Sequence, residues 1–155
     1  MKKAITIIAG LFILIQFIRP AKNDSSAPTP LSLKACYGLP DSVEQVLKVS
    51  CYDCHSNHSD YPWYDRVQPV MWFVTYHIHG GKSHLNFDEF AAYPVKKKEE
   101  RLKGIVKTLQ LNAMPLNSYT WIHRNARLSA AQKQMVSDWA ASLGKQIADT
   151  TKAAL

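Results

Sequence analysis

The chain of 155 residues is 46 % hydrophobic and 20 % charged, which suits one compact domain plus a targeting segment and excludes two comfortable domains. Its formal charge of +7 suggests nucleic acid only until the first twenty residues are set aside: they hold Lys2, Lys3 and Arg19 and no acid, so the remainder carries +4. That mildly basic remainder argues against a nucleic-acid partner and is compatible with electrostatic steering towards acidic protein partners.

Lys2-Lys3, the apolar run from Ala4 to Ile18 and Arg19-Pro20 read as an export signal by charge and hydropathy. The run of 15 residues is at the top of the range for a leader's core and short of the roughly 20 residues of a spanning helix. Gln16-Phe17-Ile18-Arg19-Pro20 offers no small-residue cleavage site, which favours an uncleaved anchor with snorkelling basic ends over a removed leader. Either reading exports the domain; the favoured one places it in the periplasm, tethered to the inner membrane by residues 4–18. Residues 1–20 are therefore signal peptide or membrane anchor, residues 21–35 a linker rich in Asn, Asp, Ser and Pro, and residues 36–150 the domain proper. Cys36 opens that domain and is expected to be a small buried residue.

From Pro40 onward the pattern becomes helical. Ser42 and Gln45 suit a capping box, and Val43, Val46, Leu47 and Ser50 share one face. This helix delivers Cys51 from its last turn and so opens Cys51-Tyr52-Asp53-Cys54-His55. In an exported chain a C-x-x-C-H run is the attachment site of a c-type haem. The spacing suits two thiols that add across the vinyl groups of one porphyrin while the adjacent imidazole becomes an axial ligand. A zinc site would need a second Cys or Cys/His pair, and the other cysteine, Cys36, is isolated; a thioredoxin-like pair would need a βαβ setting that no strong strand pattern supplies.

His55 to Asp60 is turn-rich, and Tyr61-Pro62-Trp63-Tyr64 is an aromatic cluster that can serve as core or as the wall of a haem pocket. Val70 to His77 is expected to be a helix stopped by Gly80-Gly81. Lys96 to Gln110 is amphipathic, with Leu102, Ile105, Val106 and Leu109 inward and the run Lys96 to Arg101 outward. Met114-Pro115 follows in a loop. Ser129 and Gln132 suit a second capping box for a last helix lined by Met135, Val136, Trp139, Leu143 and Ile147, with Ala148 to Leu155 expected to fray. The fold class is thus all-α.

A helix leading into C-x-x-C-H, a Met-Pro in a downstream loop and a final helix with an inward aromatic make the layout resemble small mono-haem cytochromes c. Motif by motif, the chain also resembles a family of small exported haem-binding domains, through Cys54-His55-Ser56-Asn57, Tyr61-Pro62-Trp63-Tyr64, Pro69-Val70-Met71-Trp72, His77 with Gly81-Lys82, Leu85-Asn86-Phe87 and Met114-Pro115-Leu116-Asn117-Ser118-Tyr119. The position after Leu85-Asn86-Phe87, usually Ser, is Asp88, and either residue can cap a helix. The resemblance covers most of residues 40–145. It implies one haem c per chain held by Cys51 and Cys54, His55 as proximal and Met114 as distal ligand, and Tyr61, Trp63, Trp72, His77 and Lys82 around the cofactor. His77 is the rival for the second axial position, as a ligand or as a partner of a propionate or of the Gly80-Gly81 turn. His58, His79, His84 and His123 are expected to be surface or hydrogen-bonded residues.

Two functions from different classes follow. A one-electron carrier has both axial positions filled and tunes the potential through ligand, burial and hydrogen bonds. A peroxidase-like enzyme or gas or redox sensor needs a sixth position that opens, and no distal acid/base pair can be assigned from spacing. The carrier is the favoured expectation, ahead of a haem-free thiol-disulfide protein.

Overall fold

The computed structural model describes residues 1–27 and 29–153, and the regular structure among them is helical. Eight α-helices run in chain order: α1 (Lys2–Ile15), α2 (Leu33–Tyr37), α3 (Asp41–Ser50), α4 (Tyr52–His55), α5 (Val70–His84), α6 (Val95–Gln110), α7 (Asn117–Ile122) and α8 (Ala130–Ala153). Short 3₁₀ turns at Trp63–Arg66, Phe87–Ala92 and Arg124–Ala126 join them. None of the helices among the described residues is long and apolar enough to cross a membrane.

The core is what the helical spacings dictate. Val43, Val46 and Leu47 of α3, Leu102 and Leu109 of α6, and Val136, Ala140, Leu143 and Ile147 of α8 recur at three, four and seven residues, so each set lies on one face and all are buried together with Leu33, Leu85, Phe87 and Phe90. Each such large apolar side chain contributes about 1.5–3 kcal/mol when fully buried. Phe90 is completely enclosed, with Tyr37 and Tyr93 edge-on to it at 5.8 and 5.9 Å. Lys97 and Lys98 lie over the rings of Tyr93 and Tyr37 at 4.1 and 5.6 Å, so part of the Lys96–Arg101 charge run covers aromatic surface and is not only solvated.

Local signals were realised unevenly. Ser129 and Gln132 form the expected box, with Gln132 N donating to Ser129 Oγ at 3.2 Å and Ser129 N to Gln132 Oε1 at 2.9 Å. At α3 the cap is Pro40 instead; Ser42 lies inside the helix, and Asp41 and Glu44 supply first-turn negative charge to the dipole. The expected stop at Gly80-Gly81 does not occur, because α5 continues to His84. The last helix does not fray from Ala148 but extends to Ala153; residues 154–155 lie outside the described residues. Cys36 is exposed rather than buried, with its thiol 3.3 Å from the Pro30 carbonyl.

Candidate functional site

Cys51 is the joint of the site. It ends α3, with its N–H donating to Leu47 O at 2.8 Å, and its own carbonyl accepts from Cys54 N at 3.2 Å and His55 N at 3.0 Å. One tight turn therefore places two thiols and an imidazole in succession. Both thiols are free and partly buried. Burial pushes the Cys51 thiol up to about 12, with the neighbouring Cys54 adding to it. Burial and then the Asp53 carboxylate push Cys54 up to about 11. These are neutral thiols at physiological pH, the opposite of the depressed thiolate of a disulfide oxidoreductase.

The imidazole is oriented by the backbone. His55 Nδ1 lies 2.9 Å from Leu85 O, so Nδ1–H donates and Nε2 keeps its lone pair, the state a metal ligand needs. Burial lowers the pKa of His55 most, while the Leu85 and Gly81 carbonyls raise it and His84 lowers it further. The ring of Phe87 stands edge-on at 6.3 Å.

Helix α5 comes against this turn at Gly81. A Cβ at that position would land on the carbonyl oxygen of Cys54 and lie 3.1 Å from the Cys54 Cβ, whereas one at Gly80 would meet nothing within 4 Å. The glycine that composition suggests as a helix stop is thus a contact surface inside the helix. Its neighbour in sequence, Leu85-Asn86-Phe87, supplies the rest of the frame. Asn86 Nδ2 donates to Asn57 Oδ1 at 2.8 Å, and Asn57 N donates to Asp88 Oδ2 at 2.7 Å. Asn86, rather than Asp88, caps the 3₁₀ turn that follows, accepting from Asp88 N at 3.1 Å. The Cys54–Asn57 and Leu85–Asp88 motifs are therefore two halves of one hydrogen-bonded unit.

On another side of the motif, Tyr119 of α7 donates to Asp53 Oδ2 at 2.6 Å. Burial and this carboxylate both raise the Tyr119 pKa, so the phenol stays a donor. Tyr119 stacks on His123 at 4.2 Å and 11°, and Tyr64 O–H meets His123 Nε2 at 2.7 Å. His123 is thus hydrogen-bonded, as expected, while His58, His79 and His84 are exposed.

Met114 lies half-buried in the loop before α7, its N–H 3.4 Å from Thr108 O. It lines a cleft of about 440 Å³ with Trp121, Arg127 and Lys133 among others; Cys51, Cys54 and His55 do not line that cleft. Its link to the motif runs through Tyr119, five residues on. His77 packs within its own helix, with Nδ1 donating to Phe73 O at 2.8 Å and the two rings 4.2 Å apart. Trp63 is 77 % exposed and edge-on to Tyr64 at 5.8 Å. Tyr61, Trp72 and Lys82 point their polar atoms at residues 18–23: Tyr61 O–H accepts from Asn23 N at 2.8 Å, Trp72 Nε1 donates to Ile18 O at 2.8 Å, and Lys82 Nζ donates to Asn23 Oδ1 at 2.6 Å.

Sequence reasoning missed Asn23, Gly81 as a contact, and the Asp53–Tyr119 pair. Gly81 and Tyr119 carried a signal, as members of the His77–Lys82 and Met114–Tyr119 motifs, but neither motif said what the residue touches.

The residues present fit a haem. Two neutral thiols three residues apart and, directly after them, an imidazole whose Nδ1–H is engaged by a backbone carbonyl, which leaves Nε2 as the metal-binding nitrogen, match the chemistry of the donor set. A family model described as a haem-binding domain matches residues 10–142. No curated protein and no solved structure matches the chain.

Proposed function

Since the chain belongs to the haem-binding domain family, we propose that it is a c-type cytochrome-like protein that transfers single electrons outside the cytoplasm. It carries one haem c bonded to Cys51 and Cys54, with His55 as proximal and Met114 as distal ligand. The observation that carries this reading is the His55 Nδ1–Leu85 O hydrogen bond at 2.9 Å, which fixes the tautomer and aims the free nitrogen one residue after the two thiols.

When bound, the haem supplies the one-electron iron couple. The chain's own residues do the rest. Leu85 O raises the basicity of the His55 ring through its Nδ1–H, and Phe87 holds the ring's plane. Tyr119 fixes the approach of α7 and so of the Met114 loop. The close approach of α5 at Gly81 covers one side of the attachment turn. Nothing in this set has to gain or lose a proton for an electron to pass, which suits a carrier that reorganises little. Its donor and acceptor are redox proteins, met through a mildly basic surface.

Protein made with the haem-attachment machinery tests the reading. A sharp reduced band at about 550 nm that survives acid–acetone extraction is expected. Cys51→Ala or Cys54→Ala should leave the haem extractable. Haem stripped from the unmodified protein overturns covalent attachment, and a low-spin oxidised spectrum without peroxidase turnover separates the carrier from the enzyme or sensor reading.

A further inference from the structure

Residues 16–25 run from the end of the expected anchor into the expected linker, yet the structure gives them a dedicated receptor. Asn23 has every polar group engaged: its N–H with Tyr61 O–H, its carbonyl with Ser59 N at 2.7 Å, its Nδ2 with Ser56 O at 3.0 Å and Ser59 Oγ at 2.8 Å, and its Oδ1 with Lys82 Nζ. Asp24 pairs with His58 as an antiparallel bridge, and Ser25 N donates to Asn57 O at 3.0 Å. Further up, the fully buried Gln68 exchanges hydrogen bonds with Gln16, through Gln68 N to Gln16 Oε1 at 2.9 Å and Gln16 Nε2 to Gln68 O at 3.3 Å. Ile18 O accepts from both Gln68 Nε2 and Trp72 Nε1, at 2.9 and 2.8 Å. The strap is thus bonded to the loop that starts one residue after His55, and Ser59 Oγ passes the contact on to Asp53 O inside the C-x-x-C-H run.

Above the strap stands α1, which buries none of its residues. Ile5, Ile7, Ile8, Leu11, Phe12, Ile13 and Leu14 are all exposed and are distributed around the whole circumference. A helix apolar on every side needs an apolar surrounding on every side. Its 14 residues span about 21 Å, less than the roughly 30 Å of a bilayer's hydrocarbon core. Lys2 and Lys3 at one end, with Arg19 and Lys22 at the other, suit a short apolar rod that reaches headgroups by snorkelling.

We propose that residues 16–25 are a permanent part of the folded domain, clasped by Tyr61, Gln68, Trp72 and Lys82, and that they hold the C-x-x-C-H turn at a fixed distance from a phospholipid bilayer into which α1 inserts. The proposal assigns a role to three residues otherwise expected only around the cofactor. It does not depend on how the iron is ligated. A leader removed anywhere through the strap would strip the buried Gln68 and the loop after His55 of their partners.

The full chain, purified from membranes of expressing cells, tests it by intact mass, with the haem absorbance of the same sample deciding the electron-carrier reading separately. A mass that includes residues 16–25, in protein that resists a high-salt wash and is released by detergent, is the expected result. A mature N-terminus at Phe17 or beyond overturns retention. In the full chain, Asn23→Ala and Trp72→Phe should each make tryptic cleavage after Lys22, the trypsin-sensitive bond of the strap since Arg19 precedes Pro20, at least several-fold faster; unchanged rates overturn the clasp. The double variant Ile8→Lys/Leu11→Lys should leave vesicles of phosphatidylethanolamine and phosphatidylglycerol while keeping the strap's protease resistance. Continued binding to those vesicles, or a detergent-free soluble dimer of the unmodified chain with α1 protected between two copies, overturns the bilayer as the occupant.

Discussion

Helix α5 meets the Cys51–His55 turn through backbone: the Cys54 carbonyl fills the space where a Gly81 side chain would be, and the Leu85 carbonyl holds His55. Helix α7 meets the same turn through the tip of one side chain, Tyr119 on Asp53, and carries Met114 on a loop beside an open cleft. Backbone contacts have no rotamers to choose among, so the His55 imidazole is set as soon as the fold forms. A side-chain contact can be given up for about 1.5–3 kcal/mol. On the function proposed above, the difference makes a division of labour in which the Cys51–His55 side would be rigid and the Met114 side adjustable.

Gly81→Ala attacks the rigid side and should have the largest effect. The added methyl meets backbone that cannot rotate away, so α5 or the motif turn must shift, at about 1–3 kcal/mol or more. Melting temperature and covalent haem content should both fall. Gly80→Ala is the control: nothing lies within 4 Å of its new Cβ, and removing a glycine from a helix interior should stabilise by roughly 0.5–1 kcal/mol. Equal behaviour of the two variants would dissolve the distinction between the sides.

Met114→Ala attacks the adjustable side without touching the frame. Haem content and melting should change little, while the oxidised spectrum turns high-spin and azide binds. A neutral thioether favours ferrous iron, so the potential should also fall if another ligand takes its place. Should the unmodified protein lack a band at about 695 nm and Met114→Ala leave the spectrum unchanged, the second ligand would move to His77, whose Nε2 has no intramolecular partner among the bonds described above.

Between these lies Tyr119→Phe, which removes one hydrogen bond to a carboxylate and nothing of the ring's stacking on His123. A loss on the order of 1.5 kcal/mol is expected, with the Met114–iron band weakened but the haem still attached. A variant with an unaltered band would show that α7 is positioned by packing alone.

How much of this could be read from the chain follows the same divide between local and distant causes. The all-helical class, the seams of α3, α6 and α8, and the Ser129 cap were legible because each is written in spacings of three, four and seven residues. Membership of a haem-binding family was legible because several motifs recur in order. Gly80-Gly81 misled, since a glycine marks a position without a side chain and does not say whether a turn or a neighbouring backbone needs it. Asn23 was invisible for another reason. Its partners lie 33 to 59 residues away, and nothing in a polar, proline-rich stretch distinguishes a free connector from a bound one. Pro40 took the cap position expected of Ser42, two residues earlier, because its fixed φ suits the entry to a helix.

The smallest expected effect concerns Asp65, in the 3₁₀ turn beside Tyr64 on the adjustable side. It is 4 % exposed and its Oδ1 has no hydrogen-bond partner. Burial raises its pKa above the ordinary 3.8, His123 pulls the other way, and Asp53 adds to the rise. A carboxyl whose folded pKa lies above its unfolded value binds its proton more tightly in the fold. Its stabilising contribution is therefore complete below pH 3.8 and is lost as the pH rises through the folded value. Asp65→Asn keeps the shape and cannot ionise, so at pH 7 the variant should melt slightly above the unmodified protein, and towards pH 3 the gap should close. A pH-independent gap would mean that the substitution acts through packing. A variant that melts lower at pH 7 would mean that the ionised carboxylate is held by His123 strongly enough to outweigh its burial, which would make the Tyr64–His123–Tyr119 cluster a charged support of α7 and not a neutral one.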